Sequence, residues 1–289
     1  MKLVSFSTQG SPVQAGVLGS PFELGPSHEQ YVQGFSMQGD VSVLDVIASG
    51  HATHEGFTGR ATVPVYPLEK VRIHAPLANP PRVFAIGLNY RDHAIESGMA
   101  IPTTPVVFFK LQTAIIGPGE AIILPKNSTQ PDYEAEFAFV IGKGGYRIPA
   151  AAWRDHVYGY TIVNDVSARD IQLATSQWTM GKSFPTFCPL GPAIVTADEI
   201  PDPHSLDIRL DIDGVEHQHS NTRELIFKIP ELIEFLSSIT PLLPGDIVST
   251  GTPFGVGLGR TPKRWLQPGE TVTITVEGLG SLTNPTVAE

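Results

Sequence analysis

Apolar residues in this chain fall mostly in short runs bounded by glycine, proline or a charged residue, a spacing that predicts strands more than long helices. Val83-Phe84-Ala85-Ile86 ends in Gly87, and Val106 to Phe109, Phe137 to Ile141 and Tyr160 to Val163 repeat the pattern. Leu206 to Ile212 alternates apolar and charged residues and then meets Asp213-Gly214, the strongest short hairpin signal. Pro244-Gly245-Asp246 and Pro268-Gly269-Glu270 are turns, each followed by a β-rich run, IVST and TVTITV. Helical spacing is rarer. Pro230 opens one helix, with Leu232, Phe235, Leu236 and Ile239 on one face. Ser167-Ala168-Arg169-Asp170 reads as a capping box opening a second. The first seventy-odd residues read as short strands and turns, ending in the proline-rich loop Ala75 to Arg82. The expected organisation is a small β-rich N-terminal domain over 1–78 and a larger domain over 79–289.

Composition supports many turns: 28 glycines and 26 prolines occur in 289 residues, while charged residues are only 17%. A net charge of −10 argues against nucleic acid as a partner, because phosphate binding needs clustered Lys and Arg. No apolar run approaches the ~18 residues of a membrane span, so no membrane is expected as a partner. The N-terminal MKLVSFSTQG lacks the apolar stretch of a signal peptide. The single cysteine, Cys188, has no internal partner and reads as a packed thiol, which makes the cytoplasm the expected compartment.

Glu134 and Glu136 open an apolar strand in DYEAEFAFVIG. Side chains at i and i+2 share a face of a strand, about 6.5–7 Å apart along it. Two carboxylates that close are costly to bury unless a hard divalent cation joins them; otherwise they mark an exposed strand end. Asp165 ends the apolar run YTIVND just before the expected cap, where it serves either as a third oxygen ligand or as a turn residue. His93 and Glu96 form an H-x-x-E pair in GLNYRDHAIESG. On a helix they share a face, either as a surface ion pair or as a base poised near neutral pH. Lys182, in GKSFPTFCPLGP, suits an enolate or carboxylate if buried and is an ordinary loop lysine if solvated. His217 and His219 share a strand face, as soft-metal ligands or as an exposed edge. Gly255, Gly257 and Gly259 sit in GVGLG with no helix pattern after them, so a dinucleotide site is rejected.

Read in order, GLNYRDHAIESG, PVVFFK, IIGPGEAI, DYEAEFAFVIGK, YTIVNDVSARD, GKSFPTFCPLGP, STGTPFGVG and VEGLGSLTNP resemble the fumarylacetoacetate hydrolase family from about Arg82 onward. The resemblance implies an α+β, β-dominant fold: a rolled, mixed β-sheet catalytic domain behind a small N-terminal domain, usually as a homodimer. It implies Mg²⁺ or Mn²⁺ held by Glu134, Glu136 and Asp165, with His93 and Glu96 as the dyad of a lid. Lys182 falls on the family's lysine beside the metal, and Thr252 on the threonine that meets the substrate carboxylate. Tyr90, Lys110 and Gln172 fall on positions lining the pocket. Two departures are expected near that pocket: Pro185 where members often carry Asp, and Leu111-Gln112 in place of a proline.

The chemistry so implied is hydrolysis of a C–C bond in a small anionic 2-oxo acid, a 2,4-dioxo acid of the acylpyruvate or fumarylpyruvate type. His93, oriented by Glu96, activates the water, and the metal with Lys182 stabilises the enolate. The alternative on the same scaffold is an oxaloacetate decarboxylase or an isomerase of an unsaturated 2-oxo acid. A non-catalytic metal-binding protein is the third reading, against which a retained triad and dyad argue together.

Overall fold

The computed structural model describes residues 1–19, 30–35, 41–50, 64–96, 98 and 100–289. Every strand anticipated from the apolar runs is present: Val83–Gly87, Val106–Lys110, Ala135–Ile141, Val157–Asn164 and Asp207–Ile212. Asp213 and Gly214 turn the chain with φ of 51° and 78°, the left-handed pair that a two-residue hairpin needs, into Val215–Asn221. The turns at Gly245 and Gly269 likewise deliver Ile247–Ser249 and Thr271–Val276.

Two adjacent central strands, Ala135–Ile141 and Val157–Asn164, are buried at every residue. Their alternation divides two cores. Phe137, Phe139 and Ile141 join the large cluster with Tyr160, Ile162 and the helix Ile229–Ile239, while Ala138 and Val140 join a second cluster with Leu3, Ile47 and Ile194. A strand covered on both faces loses its polar alternation, hence the continuous FAFVI run. Glu134 and Glu136 have the parity of Ala138, so both point to the second face.

Around this pair runs a long mixed sheet. Ile247–Ser249, Val83–Gly87 and Val106–Lys110 follow on one side, and Cys188–Thr196 on the other. The N-terminal strand Lys2–Ser7 hydrogen-bonds to Cys188–Thr196, so the first strands extend this same sheet. Most neighbours are antiparallel, whereas Ile247–Ser249 and Val83–Gly87 run parallel. A second sheet of five strands contains Asp207–Ile212 and Thr271–Val276, and its Ile208, Leu210 and Ile274 pack into the large core. Mixed sheets with few helices make the β-dominant α+β class that the sequence implies.

Two local expectations change. The helix Ile229–Ile239 buries Ile229, Leu232, Ile233 and Leu236 but leaves Ile239 exposed, because its contact stripe starts one residue earlier than Pro230 suggests. The box at Ser167 does not form. Ser167–Ala168 is a two-residue strand whose serine donates to Asp165 O, and the helix Arg169–Gln172 is a single turn. Asp170 instead accepts from Thr129 N and Ser128 Oγ on a neighbouring loop, so long-range contacts replaced the local cap.

Candidate active site

The pairing register brings the three acidic residues together. Ala135 pairs with Asn164, so the next step along the ladder places Asp165 opposite Glu134, and Asp165 N donates to Glu134 O at 3.0 Å. On the other flank Ala138 pairs with Ser249, which sets Gly251 beside Glu136. Gly251 N and Ser249 Oγ both donate to Glu136 Oε2. Glu134, Glu136 and Asp165 are all buried, and one carboxylate oxygen of each lies within 4.8 Å of the others. Among the described residues this is the one group of three metal-ligating side chains that converges.

Three cations surround the triad. Lys182 ends the 3-10 turn Thr179–Lys182, and its Nζ donates to Glu134 Oε2 at 2.7 Å and Asp165 Oδ2 at 2.8 Å. The turn packs closely on its neighbour, since a Cβ at Gly181 would lie 2.4 Å from Gln172 N. Lys110, at the end of an edge strand, donates to Asp165 Oδ1 and to the carbonyls of Lys182 and Val166. Arg169 donates through Nε to Asp132 Oδ2 at 2.8 Å and through Nη1 to Gln172 Oε1 at 2.9 Å. Its Nη2 sits 2.7 Å from Glu134 Oε1, out of line for a hydrogen bond.

Counted at formal charge, Asp132, Glu134 and Asp165 balance Lys110, Arg169 and Lys182, and Glu136 is the carboxyl left over. The electrostatics follow that count. Burial opposes ionisation of Glu134, but Lys182 and Arg169 overcome it and hold its carboxyl at about 2. Burial, with Asp165 and Glu134 close by, pushes Glu136 well above the usual carboxylate range. Burial also works against charging Lys182, yet Asp165 and Glu134 raise its pKa. A buried, all-oxygen carboxylate set with one uncompensated member suits a hard divalent cation, Mg²⁺ or Mn²⁺. The residues present therefore fit the metal that the motifs imply.

Glu134 and Glu136 open on a cavity of about 410 Å³. Glu134, Glu136, Lys182, Arg169, Gln172 and Thr252 line it together with His93 and Glu96. Ile86, Leu88, Phe108, Leu173 and Trp178 give it an apolar wall. Trp178 packs edge-on to Phe108 over Gly87, where a Cβ would come within 2.3 Å of the indole ring. Asp165, Tyr90 and Lys110 lie outside the lining. Asp165 and Lys110 form the layer behind Glu134, and Tyr90 is fully buried with its hydroxyl unpartnered. The expected departures do not face the cavity either: Gln112 turns away to Pro80 O, and Leu111 is exposed, its N–H bonded to Ser183 Oγ. Pro185 is also absent from the lining, so none of the three shapes the cavity wall directly.

His93 sits on the helix Arg91–Glu96 with Nδ1 3.3 Å from Glu96 Oε2. Glu96 is anchored in turn by Gly255 N, at 3.0 and 3.2 Å from its two oxygens. Asp92, on the same helix, accepts from Ser220 Oγ. The GVGLG loop is thus a cradle for the protein's own carboxylates, because Gly257 N and Leu258 N donate to Asp132. Gly257 is required by close approach, since a Cβ would lie 1.7 Å from Arg264 O, whereas at Gly259 a Cβ would lie 2.3 Å from Cδ of the Glu96 side chain.

Thr252 is held by Gln218, whose amide donates to Thr252 Oγ1 at 2.8 Å and to Pro253 O while accepting from Ala135 N. Since Thr252 Oγ1 already accepts, its O–H remains to donate into the cavity. Gln172, accepting from Arg169 through Oε1, keeps its NH₂ donors by the same logic. The paired histidines do not converge on a metal. His217 Nδ1 meets Tyr133 Oη at 3.1 Å, and exposed His219 pairs with Asp207 and Glu216. Burial pushes the Cys188 thiol up to about 12, which leaves it inert.

Arg169, Gln218 and Asp132 escaped the sequence reading, as did the cavity-lining Trp178, Arg260 and Lys263. Arg169 carried a signal, a basic residue four after Asp165 in the segment that follows YTIVND. Gln218 lay hidden between two more conspicuous histidines.

A family model described as fumarylacetoacetate (FAA) hydrolase C-terminal matches residues 82–287. The mitochondrial oxaloacetate tautomerase fahd2 of Xenopus laevis is 46% identical over 219 residues, which is 75% of this chain and 69% of that protein. Among solved structures, the 5-carboxymethyl-2-hydroxymuconate delta-isomerase of Mycobacterium smegmatis is 37% identical with a TM-score of 0.80, each chain covered in full. The fumarylacetoacetate hydrolase of Exiguobacterium antarcticum is 33% identical with a TM-score of 0.84, again over 100% of both chains.

Proposed function

We propose that this chain, which belongs to the fumarylacetoacetate hydrolase family, is a metal-dependent isomerase that moves a proton between the enol and keto forms of a small 2-oxo acid. The motifs alone led to C–C hydrolysis as the first reading. The tautomerase and isomerase names of the relatives, at 46% and 37% identity, favour proton transfer instead. The observation that carries the proposal is the shared cavity, in which one imidazole, His93, faces the same space as the carboxylates. A proton shift needs one group that takes and returns a proton.

In this reading Glu134, Glu136 and Asp165 hold Mg²⁺ or Mn²⁺, which when bound polarises the 2-oxo group as a Lewis acid. Lys182, bonded to two of the ligands, adds fixed positive charge where the enolate oxygen develops. Thr252 Oγ and the amide of Gln172 orient the substrate carboxylate. His93 Nε2 carries the proton to and from C3, while Glu96, pinned by Gly255 N, fixes the ring through Nδ1. Phe108 and Trp178 keep bulk water from the reacting carbon.

The test follows enol loss by absorbance and deuterium exchange at C3 by NMR, using oxaloacetate with Mg²⁺, with EDTA as control. The expected result is metal-dependent interconversion, reduced about 10²–10⁴-fold in His93→Ala while metal binding survives. Stoichiometric carbon dioxide from oxaloacetate, or pyruvate plus an acid from an acylpyruvate, would replace the proposal with decarboxylation or hydrolysis.

A further inference from the structure

The cations of the cavity differ in what they are already doing. Lys182 and Arg169 are buried and committed to Glu134, Asp165 and Asp132. Arg260 is half-buried, and its guanidinium donates to Gly255 O at 3.2 Å and His217 O at 2.7 Å. Arg264, next along the loop, is paired with Glu270 at 2.6 Å. Lys263 alone of this group has neither an ion pair nor a hydrogen bond among the described residues, although it lines the same cavity. It is exposed, so it stands at the solvent side of a space whose other side is the buried triad.

We propose that Lys263 is the counter-ion for a second carboxylate on the substrate, so that the site selects 2-oxo dicarboxylates over 2-oxo monocarboxylates. This deepens the reading above, which concerns the 2-oxo acid head, by assigning the tail. A ligand whose head occupies the triad points the rest of its chain toward solvent, where Lys263 is the cation with no competing partner. Arg260 adds positive potential from a fixed position. Glu96, an acid of the same lining, is already engaged by Gly255 N and His93, so it competes weakly for the ammonium. The same cavity is lined by the apolar Trp178 and Leu173, which offer a tail carboxylate no hydrogen bond beyond the indole N–H. An ammonium on a flexible stem recognises charge more than shape, so a range of tail lengths is accepted.

Such a contact is made equally in ground and transition states, and its loss therefore raises KM and leaves kcat unchanged. In Lys263→Met, KM for oxaloacetate is expected to rise about two- to fivefold, the upper range for an exposed ion pair. The 4-methyl ester of oxaloacetate, lacking the charge, is expected to show the same KM with both proteins, and Lys263→Arg to restore the wild-type preference. A parallel measurement needs no turnover. Calorimetry of the Mg²⁺-loaded protein compares 2-oxoglutarate with 2-oxopentanoate, equal in chain length and differing in the distal carboxylate. Wild type is expected to favour the dicarboxylate, Lys263→Met to lose that preference, and oxalate, a head without a tail, to bind both alike. Equal affinity for the two 2-oxo acids in wild type, or a preference unchanged in Lys263→Met, overturns the assignment. A preference that disappears with Lys263, in a protein that isomerises nothing, refutes the proton-transfer reading and leaves the role of Lys263 standing.

Discussion

Glu136 concentrates the electrostatic problem of the site. Its neighbours Glu134 and Asp165 have cationic partners, whereas among the described residues Glu136 is hydrogen-bonded only by the Ser249 hydroxyl and the Gly251 N–H. Its carboxyl is consequently raised by burial and by the two nearby carboxylates. Between the ordinary carboxylate pKa and that raised value, a metal must displace a proton from Glu136, so apparent metal affinity falls as pH falls through that window. Proton release on Mg²⁺ or Mn²⁺ binding, read by calorimetry in buffers of different ionisation enthalpy, is the expected signature. Glu136→Gln keeps an acceptor for Ser249 and Gly251 and removes a carboxyl that folding forces to stay protonated above its ordinary pKa. The variant is expected to be more stable than wild type in EDTA by about 1 kcal/mol or more. It should also lack the rise in Tm that Mg²⁺ or Mn²⁺ is expected to give wild type. A less stable variant in EDTA would mean that burial of the Glu136 carboxyl does not oppose folding.

At the scale of elements, the site is the meeting point of three strands and two loops. The register of Ala135–Ile141 with Val157–Asn164 supplies the triad, and the loop after Ile247–Ser249 supplies Thr252 and the GVGLG cradle. The cradle docks the helix Arg91–Glu96 through a single carboxylate, Glu96. Gly259→Ala tests that docking. The new Cβ would lie 2.3 Å from Glu96 Cδ, a movable side-chain end, so Glu96 swings away and releases His93. Tm should change little, within about 0.5–1 kcal/mol of stability, with metal affinity retained and kcat reduced at least tenfold. An unchanged kcat would detach the cradle from the dyad. Strand positions were legible in the sequence because their apolar runs are local. The failed cap at Ser167 and the shifted stripe on Ile229–Ile239 were not, because Asp170 and Ile233 answer to segments distant in sequence.

Across the whole molecule, titrating histidines set the response to mild acid. His74, His204 and His217 all have lowered pKa values, first through burial and then through nearby arginine or lysine charges. A histidine lowered on folding contributes stability that is full above its ordinary value near 6.5 and is lost as pH falls through the lowered value. His204 accepts from Ile229 N at the start of the long helix and packs its ring on Trp153. Between pH 7.5 and pH 5, wild type should therefore lose more stability than His204→Gln, read as the difference in urea midpoints. Glu136, whose raised carboxyl acts in the opposite direction, is common to both proteins and cancels. Equal losses would show that His204 is not charged differently in the folded state.

The sequence by itself determined the strand-rich class, the hairpin at Asp213-Gly214, and the residue types able to bind a hard cation and carry a proton, since periodicity, turn chemistry and side-chain functional groups are local properties. Only the tertiary structure decided which of those residues share one cavity. Ladder register placed Asp165 beside Glu134, side-chain packing put Lys110 behind the triad, and long-range hydrogen bonds recruited Arg169, Asp132 and Gln218. It also left Lys263 lining that cavity without a partner among the described residues, because pairing depends on where distant segments end in space.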